Sequence, residues 1–155
     1  MSYHIAQINI ARMVSSLDDP IMRDFVANLD RINSLAETAS GFVWRLKGDG
    51  NDATSLRPYE DERIIVNMSV WENPQALFDY AYRSGHVEIL RRRTEWFEKM
   101  TTPPLALWWI PAGYTPTVND AKEKLALIEQ HGPTPLAFTF KHQFTVEEMM
   151  TVQSK

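Results

Sequence analysis

The sequence predicts an α+β fold, a ferredoxin-like βαββαβ unit with extra helices. Strand-like and helix-like segments follow one another in the order strand, helix, strand, strand, helix pair, strand, helix. The chain has 155 residues, of which 44% are hydrophobic, and this is enough to bury one core. No internal repeat and no linker-like stretch divides it, so we expect a single domain.

The first strand and the first helix have clear local signals. Residues 3–11 alternate, with the apolar side chains of Ala6, Ile8 and Ile10 on one face and the polar side chains of Gln7 and Asn9 on the other. An Asp-Pro pair at 19–20 supplies an N-cap and a first-turn proline. Apolar residues then recur at helical spacing until Gly41, which ends the helix.

Two further strands flank a long polar loop. Residues 42–47 and 64–71 both alternate as strands do, and the second of them carries Asn67, Ser69 and Trp71 on a mixed face. The loop between them is predicted to be a hairpin excursion. It does not predict a calcium site, because the glutamate that ends a calcium loop and the flanking helices are both missing. The acidic and amide residues concerned are Asp49, Asn51 and Asp52.

The next segments predict a broken helix and a fourth strand. An Asn-Pro pair at 73–74 starts the helix, and a Ser-Gly pair at 84–85 breaks it. A second helical segment begins there with His86. Residues 105–110 then form an apolar strand.

A last helix closes the predicted domain. Thr117 and Asp120 have the spacing of a capping box, and Gly132 ends the helix that follows. We therefore expect a dimeric α/β-barrel domain over residues 1–135. The pattern weakens beyond it, so residues 136–155 are expected to form a C-terminal arm or tail.

Composition excludes several classes of function. The net charge of −4, with both signs interspersed, gives no reason to propose nucleic acid or a membrane surface as a partner. The chain has no cysteine, so thiolate metal sites and cysteine nucleophiles are excluded. Neither a signal-peptide pattern nor a membrane-length apolar run is present, and we expect a cytoplasmic protein. Nucleotide-binding, zinc-protease and hydrolase motifs are also missing.

Strand parity predicts a partly polar cavity. If the helices cover the purely apolar strand faces, the opposite face is left with Gln7, Asn9, Asn67, Ser69 and Trp71. Such a face suits neither bulk water nor a dry core. It is either exposed or meets a second copy of itself across a two-fold axis. We prefer the second alternative, a homodimer that encloses a pocket for a small-molecule ligand.

One run of the sequence resembles a known superfamily. The run SVWENPQALFDYAYRSGHVEILRRRTEWFEKM is similar to the third strand and following helices of the dimeric α/β-barrel superfamily, which includes antibiotic-biosynthesis-type and haem-degrading monooxygenases. From AQINIAR through GFVWRLKGDG and LWWIPAG to GPTPLAFTF, the chain resembles an uncharacterised family of that superfamily, known only as a domain of unknown function.

The resemblance implies three catalytic residues. Haem-degrading members use an asparagine on the first strand, a tryptophan ending the third strand and a histidine on the next helix. The matching positions are Asn9, Trp71 and His86. A histidine at a helix start is favoured as a neutral imidazole, which can act as a base or, if haem is bound, ligate its iron. The alternative is that His86 only caps the Ser-Gly turn.

Further side chains are candidates for substrate binding. On residues 42–47, parity leaves open whether Arg45 or Trp44 points into the pocket. Of the adjacent Trp108 and Trp109, one must face the helices and the other the pocket. The substrate-binding candidates are Gln7, Asn67, Arg45, Trp44, Tyr82 and Trp109.

Together these features predict a monooxygenase-like oxidoreductase for an aromatic or haem-like compound. It would work either without a cofactor or with haem. The alternative is a non-catalytic, dimeric ligand-binding or carrier protein that uses the same cavity without turnover.

Overall fold

The structure, a computed structural model, describes residues 2–48, 54 and 58–153. These residues contain one antiparallel sheet of five strands, with helices on both faces. The strands are β1 (Tyr3–Met13), β2 (Phe42–Arg45), β3 (Ile64–Trp71), β4 (Phe97–Glu98) and β5 (Leu105–Pro111). The helices are α1 (Arg23–Thr38), α2 (Pro74–Arg83), α3 (His86–Arg91), α4 (Arg93–Trp96), α5 (Val118–His131) and α6 (Val146–Gln153).

The predicted order of elements is confirmed, and the structure adds short ones. The additions are a 3-10 turn (Pro20–Met22) before α1, the four-residue α4, the two-residue β4 and the C-terminal α6. Asp49, Asn51 and Asp52, for which a calcium site was not predicted, lie outside the described residues. The loop that was predicted around them is therefore seen only in part.

The central strand of the sheet is β1. It pairs antiparallel with β3 on one side and with β5 and β4 on the other, while β2 pairs with the far edge of β3. The register places Asn9 opposite Asn67 and Gln7 opposite Ser69. Because paired residues point to the same side of a sheet, these four polar side chains share one face at its centre.

Three predicted helix caps are confirmed. The Asp19 carboxylate accepts a hydrogen bond from the Ile21 N–H at 3.0 Å, which caps the 3-10 turn that leads into α1. The Asn73 side chain accepts one from the Ala76 N–H at 2.9 Å and caps α2. Thr117 forms the reciprocal capping box of α5. Each cap satisfies backbone donors that lack a partner within the helix, so these helix starts are fixed locally.

The helices lie on both faces of the sheet, and here the prediction was wrong. The purely apolar face of β1, β3 and β5 packs against α5, whereas α1, α2 and α3 cover the mixed face. The prediction assumed that all helices share one face and that this face must be the more apolar one. In the structure, α5 buries the apolar face through Ala121, Leu125 and Ile128.

This arrangement removes the argument for pairing through the mixed face. The chain's own helices already lie over that face, with Asn9 and Asn67 left exposed to the space between, so its apolar part needs no second copy to bury it. The homodimer itself stays a prediction, as does the division between residues 1–135 and 136–155. Beyond residue 135, Phe138 is fully buried and pairs with Leu107 of β5.

The described helices are short or amphipathic. Within the described part of the chain, none has the length and apolar character needed to cross a membrane.

Candidate functional site

A cavity of about 870 Å³ lies between the mixed face of the sheet and helices α1, α2 and α3. Its floor is polar and is made by β1 and β3. Its walls are largely apolar: Phe25, Leu29 and Ile32 come from α1, and Ile89 and Leu90 come from α3. A volume of this size, with apolar walls and a few polar groups, is typical of small-molecule sites.

The inner part of the floor is a hydrogen-bonded network. The Gln7 side-chain amide donates to Asn67 Oδ1 at 2.7 Å and to Ser69 Oγ at 2.8 Å. The Trp71 indole N–H also donates to Ser69 Oγ, at 2.8 Å. Gln7, Ser69 and Trp71 are all buried, so these bonds satisfy groups that water does not reach.

The outer part of the floor presents free amide groups. Asn9 and Asn67 are exposed although they lie in the middle of central strands. Both line the cavity. Among the described residues, the Asn9 side chain and the Asn67 Nδ2 have no hydrogen-bond partner. These two amides can therefore bind a ligand without breaking an existing bond.

His86 lies on the helical side of the cavity with one ring nitrogen fixed. Its Nδ1 is 3.1 Å from the Ala81 carbonyl oxygen, and its backbone N–H donates to Ser84 Oγ at 3.2 Å. Since a carbonyl can only accept, Nδ1 carries the proton in the neutral ring and Nε2 is an acceptor. Burial lowers the pKa of His86, against the opposing effect of the Ala81 hydrogen bond. The predicted neutral imidazole thus has burial as its main cause.

A column of aromatic rings separates His86 from the sheet. Trp71 stacks on Tyr80 at 5.1 Å between ring centroids, and Tyr80 lies 5.1 Å from the His86 ring. The Tyr80 hydroxyl donates to the Ile32 carbonyl at 3.1 Å, and burial raises its pKa to about 12. Tyr80 therefore keeps its proton and fixes α2 against α1. Trp71, with 0% of its surface exposed, lies beneath it.

The sequence also identifies the family to which this fold and cavity belong. The sequence matches a family described as a domain of unknown function over residues 4–154. The chain belongs to the DUF3291 family. This confirms the prediction of membership in an uncharacterised family. No curated protein matches the sequence.

Solved structures resemble the DUF3291 chain only distantly. The oxygenase SnoaB from Streptomyces nogalater, described as cofactor-independent, is 13% identical with a TM-score of 0.48, covering 72% of this chain and 95% of that one. PA3566 from Pseudomonas aeruginosa is 10% identical with a TM-score of 0.48, covering 76% and 98%. NE2512 from Nitrosomonas europaea, of unknown function, is 12% identical with a TM-score of 0.46, covering 74% and 96%. Likeness of this degree says nothing about substrate or reaction.

On β2 of the DUF3291 chain, an irregularity decides which side chain reaches the cavity. The register with β3 shifts between Phe42 and Trp44, so that Phe42 and Arg45 both lie on the cavity side. Arg45 is buried and forms an ion pair with Glu37 at 3.0 Å. Trp44 lies on the other face, against the core beneath α5. Of the two alternatives that parity left open, the structure therefore places Arg45, and not Trp44, on the cavity side.

The structure separates the other two aromatic candidates. Tyr82 lines the cavity and is 46% exposed, with its ring 4.8 Å from that of Phe78. Trp109 shares the face of the floor but not the cavity. Its indole N–H donates to the Phe144 carbonyl at 2.9 Å, and its ring packs against Phe138. The segment after residue 135 therefore occupies the position where Trp109 was expected to meet a ligand.

The α1 wall of the cavity was not predicted from the sequence. Asn28, Leu29, Ile32 and Asn33 line the cavity, yet α1 had been assigned to the opposite face of the sheet. A signal was available. A polar strand face cannot pack tightly against the apolar face of a helix, so a cavity is expected wherever the two meet. Periodicity, however, does not say which face of the sheet a helix covers.

The described residues of the DUF3291 chain give haem no support. They contain no group of three or more His, Asp or Glu side chains placed to hold a metal ion. The resemblance implies a catalytic tryptophan at the end of the third strand, but Trp71 lies fully buried between Tyr80 and Phe42. A macrocycle in the cavity has no access to that ring. No step of the function proposed below depends on haem.

Proposed function

We propose that this DUF3291 chain is a monooxygenase-like oxidoreductase that acts on an aromatic small molecule, with His86 as general base. The observation that carries the proposal is the fixed imidazole. Its Nδ1 is bonded to the Ala81 carbonyl, which leaves Nε2 as the acceptor in a ring that burial keeps neutral. His86 lines the same cavity as Asn9 and Asn67.

The shape and polarity of the cavity support an aromatic substrate that carries an oxygen substituent. The apolar walls from α1 and α3 suit a flat ring, and the free amides of Asn9 and Asn67 suit an oxygen at its edge. Asn9, Asn67 and Gln7 hold or orient the substrate in this proposal. Tyr82 and Arg45 complete the binding surface, the first at the cavity edge and the second beside the floor.

The proposed reaction needs no group other than substrate and oxygen. His86 Nε2 takes a proton from an activated methylene carbon of the substrate, and the carbanion reduces O₂ while a C–O bond forms. The resulting peroxide takes the proton back from the imidazolium. Loss of water then converts the CH–OOH group to a carbonyl. One oxygen atom enters the product, the other leaves as water, and all four electrons come from the substrate carbon.

Oxygen consumption tests the proposal directly. We expect uptake with phenols that carry an activated methylene group, and a loss of about a hundredfold or more in His86→Gln, since general-base groups contribute this much. His131→Gln is the matched control, because His131 is exposed at the end of α5. A Soret band on haem addition that disappears in His86→Gln would instead favour the haem-dependent alternative.

The second candidate function is binding without turnover. The free amides and the apolar walls would serve a carrier protein equally well, since neither feature requires a reaction. Phenols that bind without any oxygen uptake would favour this alternative. The homodimer is part of both proposals and is supported by the sequence resemblance alone.

A further inference from the structure

The hydrogen bonds of the floor are directional. An indole N–H can only donate, so Ser69 Oγ accepts from Trp71 Nε1 at 2.8 Å. The same oxygen accepts from Gln7 Nε2, also at 2.8 Å. The second hydrogen of Gln7 Nε2 goes to Asn67 Oδ1 at 2.7 Å. Both donors of the Gln7 amide are therefore engaged below the cavity surface.

This direction determines what Asn67 offers to a ligand. Its carbonyl oxygen is held by Gln7, so its NH₂ group is the part left free at the cavity surface. Gln7 is 5% exposed and Ser69 is 7% exposed. The Gln7–Asn67 bond is half-buried at the cavity surface, and its Gln7 end is held by the buried bond to Ser69, so the orientation of the Asn67 amide is set from beneath.

We propose that Gln7 is a positioning residue that turns the NH₂ donor of Asn67 toward the cavity, and that the site thereby selects ligands with a phenolate or enolate oxygen. This inference rests on the proposed function only in taking the cavity as a site for aromatic compounds. If Gln7 were turned by half a rotation, its oxygen would accept from Asn67 Nδ2, and the Asn67 carbonyl would face the ligand. The orientation of the buried Gln7 amide therefore decides whether Asn67 presents a hydrogen-bond donor or an acceptor to the ligand.

Two matched probes separate oxygen recognition from packing. 4-Nitrophenol and 4-nitrotoluene have similar size, but only the first can present an anionic oxygen. We expect wild-type protein to bind nitrophenolate more tightly than nitrotoluene and to lower the pKa of the bound phenol, read from its absorbance. Methionine is close to glutamine in shape and has no donor. In Gln7→Met, the ratio of the affinities for nitrophenolate and nitrotoluene should therefore fall about tenfold, which corresponds to the loss of one charge-assisted hydrogen bond.

The control variant is Gln75→Met, which makes the same exchange at an exposed position of α2. It should leave both affinities unchanged. If Gln7→Met weakens both probes equally, Gln7 acts by packing alone and the inference is overturned, although the aromatic site stands. If wild-type protein binds neither probe, the proposed function fails and the inference fails with it.

A measurement on the wild-type chain covers the case in which Gln7→Met does not fold. The two side-chain amide protons of Gln7 should exchange with solvent far more slowly than those of exposed Gln75, because both are hydrogen-bonded in a buried network. Equal exchange rates would overturn the inference. A raised pKa of bound nitrophenol would do so as well, since it would mean that the floor presents an acceptor.

Discussion

The Ser69 hydroxyl joins Gln7 and Trp71, and Ser69→Ala removes it with little change in volume. Trp71 has 0% of its surface exposed, and in the described part of the chain its indole N–H bonds only to Ser69 Oγ. Alanine at position 69 would leave that donor buried without a partner. Gln7 would lose one of its two bonds and keep the other, to Asn67.

The expected loss of stability follows from these two donors. A buried donor left without a partner costs about 1–3 kcal/mol. The Trp71 N–H bears this cost in full because no part of the residue is exposed. Gln7 keeps its bond to Asn67 after the substitution, so its share is smaller. We therefore expect Ser69→Ala to lower the free energy of unfolding by about 2–4 kcal/mol.

Urea unfolding followed by tryptophan fluorescence measures this loss. The control is Ser34→Ala, at an exposed position of α1, which should change the free energy of unfolding by less than about 0.5 kcal/mol. A loss below about 0.5 kcal/mol for Ser69→Ala would refute the reasoning, because it would mean that the Trp71 N–H finds another partner.

Three other predictions concern pH, backbone and assembly. Burial lowers the pKa of His86 from its ordinary 6.5, so the unfolded chain binds a proton at a higher pH than the folded chain does, and stability falls as pH drops below about 6.5. The melting temperature should therefore fall between pH 7 and pH 5, and it should fall less in His86→Gln. Gly41→Ala should lower the urea midpoint more than Gly113→Ala, because both have positive φ but only the Gly41 Cβ would lie 2.6 Å from Ala76 Cβ. Light scattering should give about twice the 17.9 kDa of one chain, and a monomer at micromolar concentration would contradict the homodimer.

The features that sequence predicted well are those set by neighbouring residues. The caps at Asp19, Asn73 and Thr117 depend on side chains within three positions of the backbone groups they bind, so their spacing is enough to identify them. Alternation likewise placed Gln7 and Asn9 on one strand face. The structure brings both to the cavity floor.

The features that sequence missed depend on distant parts of the chain. Parity states which residues share a face but not which helix covers it, so α1 was placed on the wrong side. The irregularity at β2 is set by pairing with β3, and alternation within residues 42–47 cannot reveal it. Trp109 does not line the cavity because its indole N–H bonds to the Phe144 carbonyl, which lies 35 positions away along the chain.

The location of the cavity has a consequence for how ligand binding depends on protein concentration. The described floor and walls all come from a single chain, from β1 and β3 to α1 and α3. Subunit exchange or dilution therefore does not take the described site apart. Ligand affinity is expected to stay constant as protein concentration falls through any dimer dissociation constant, and each chain fills its own site by simple one-to-one mass action.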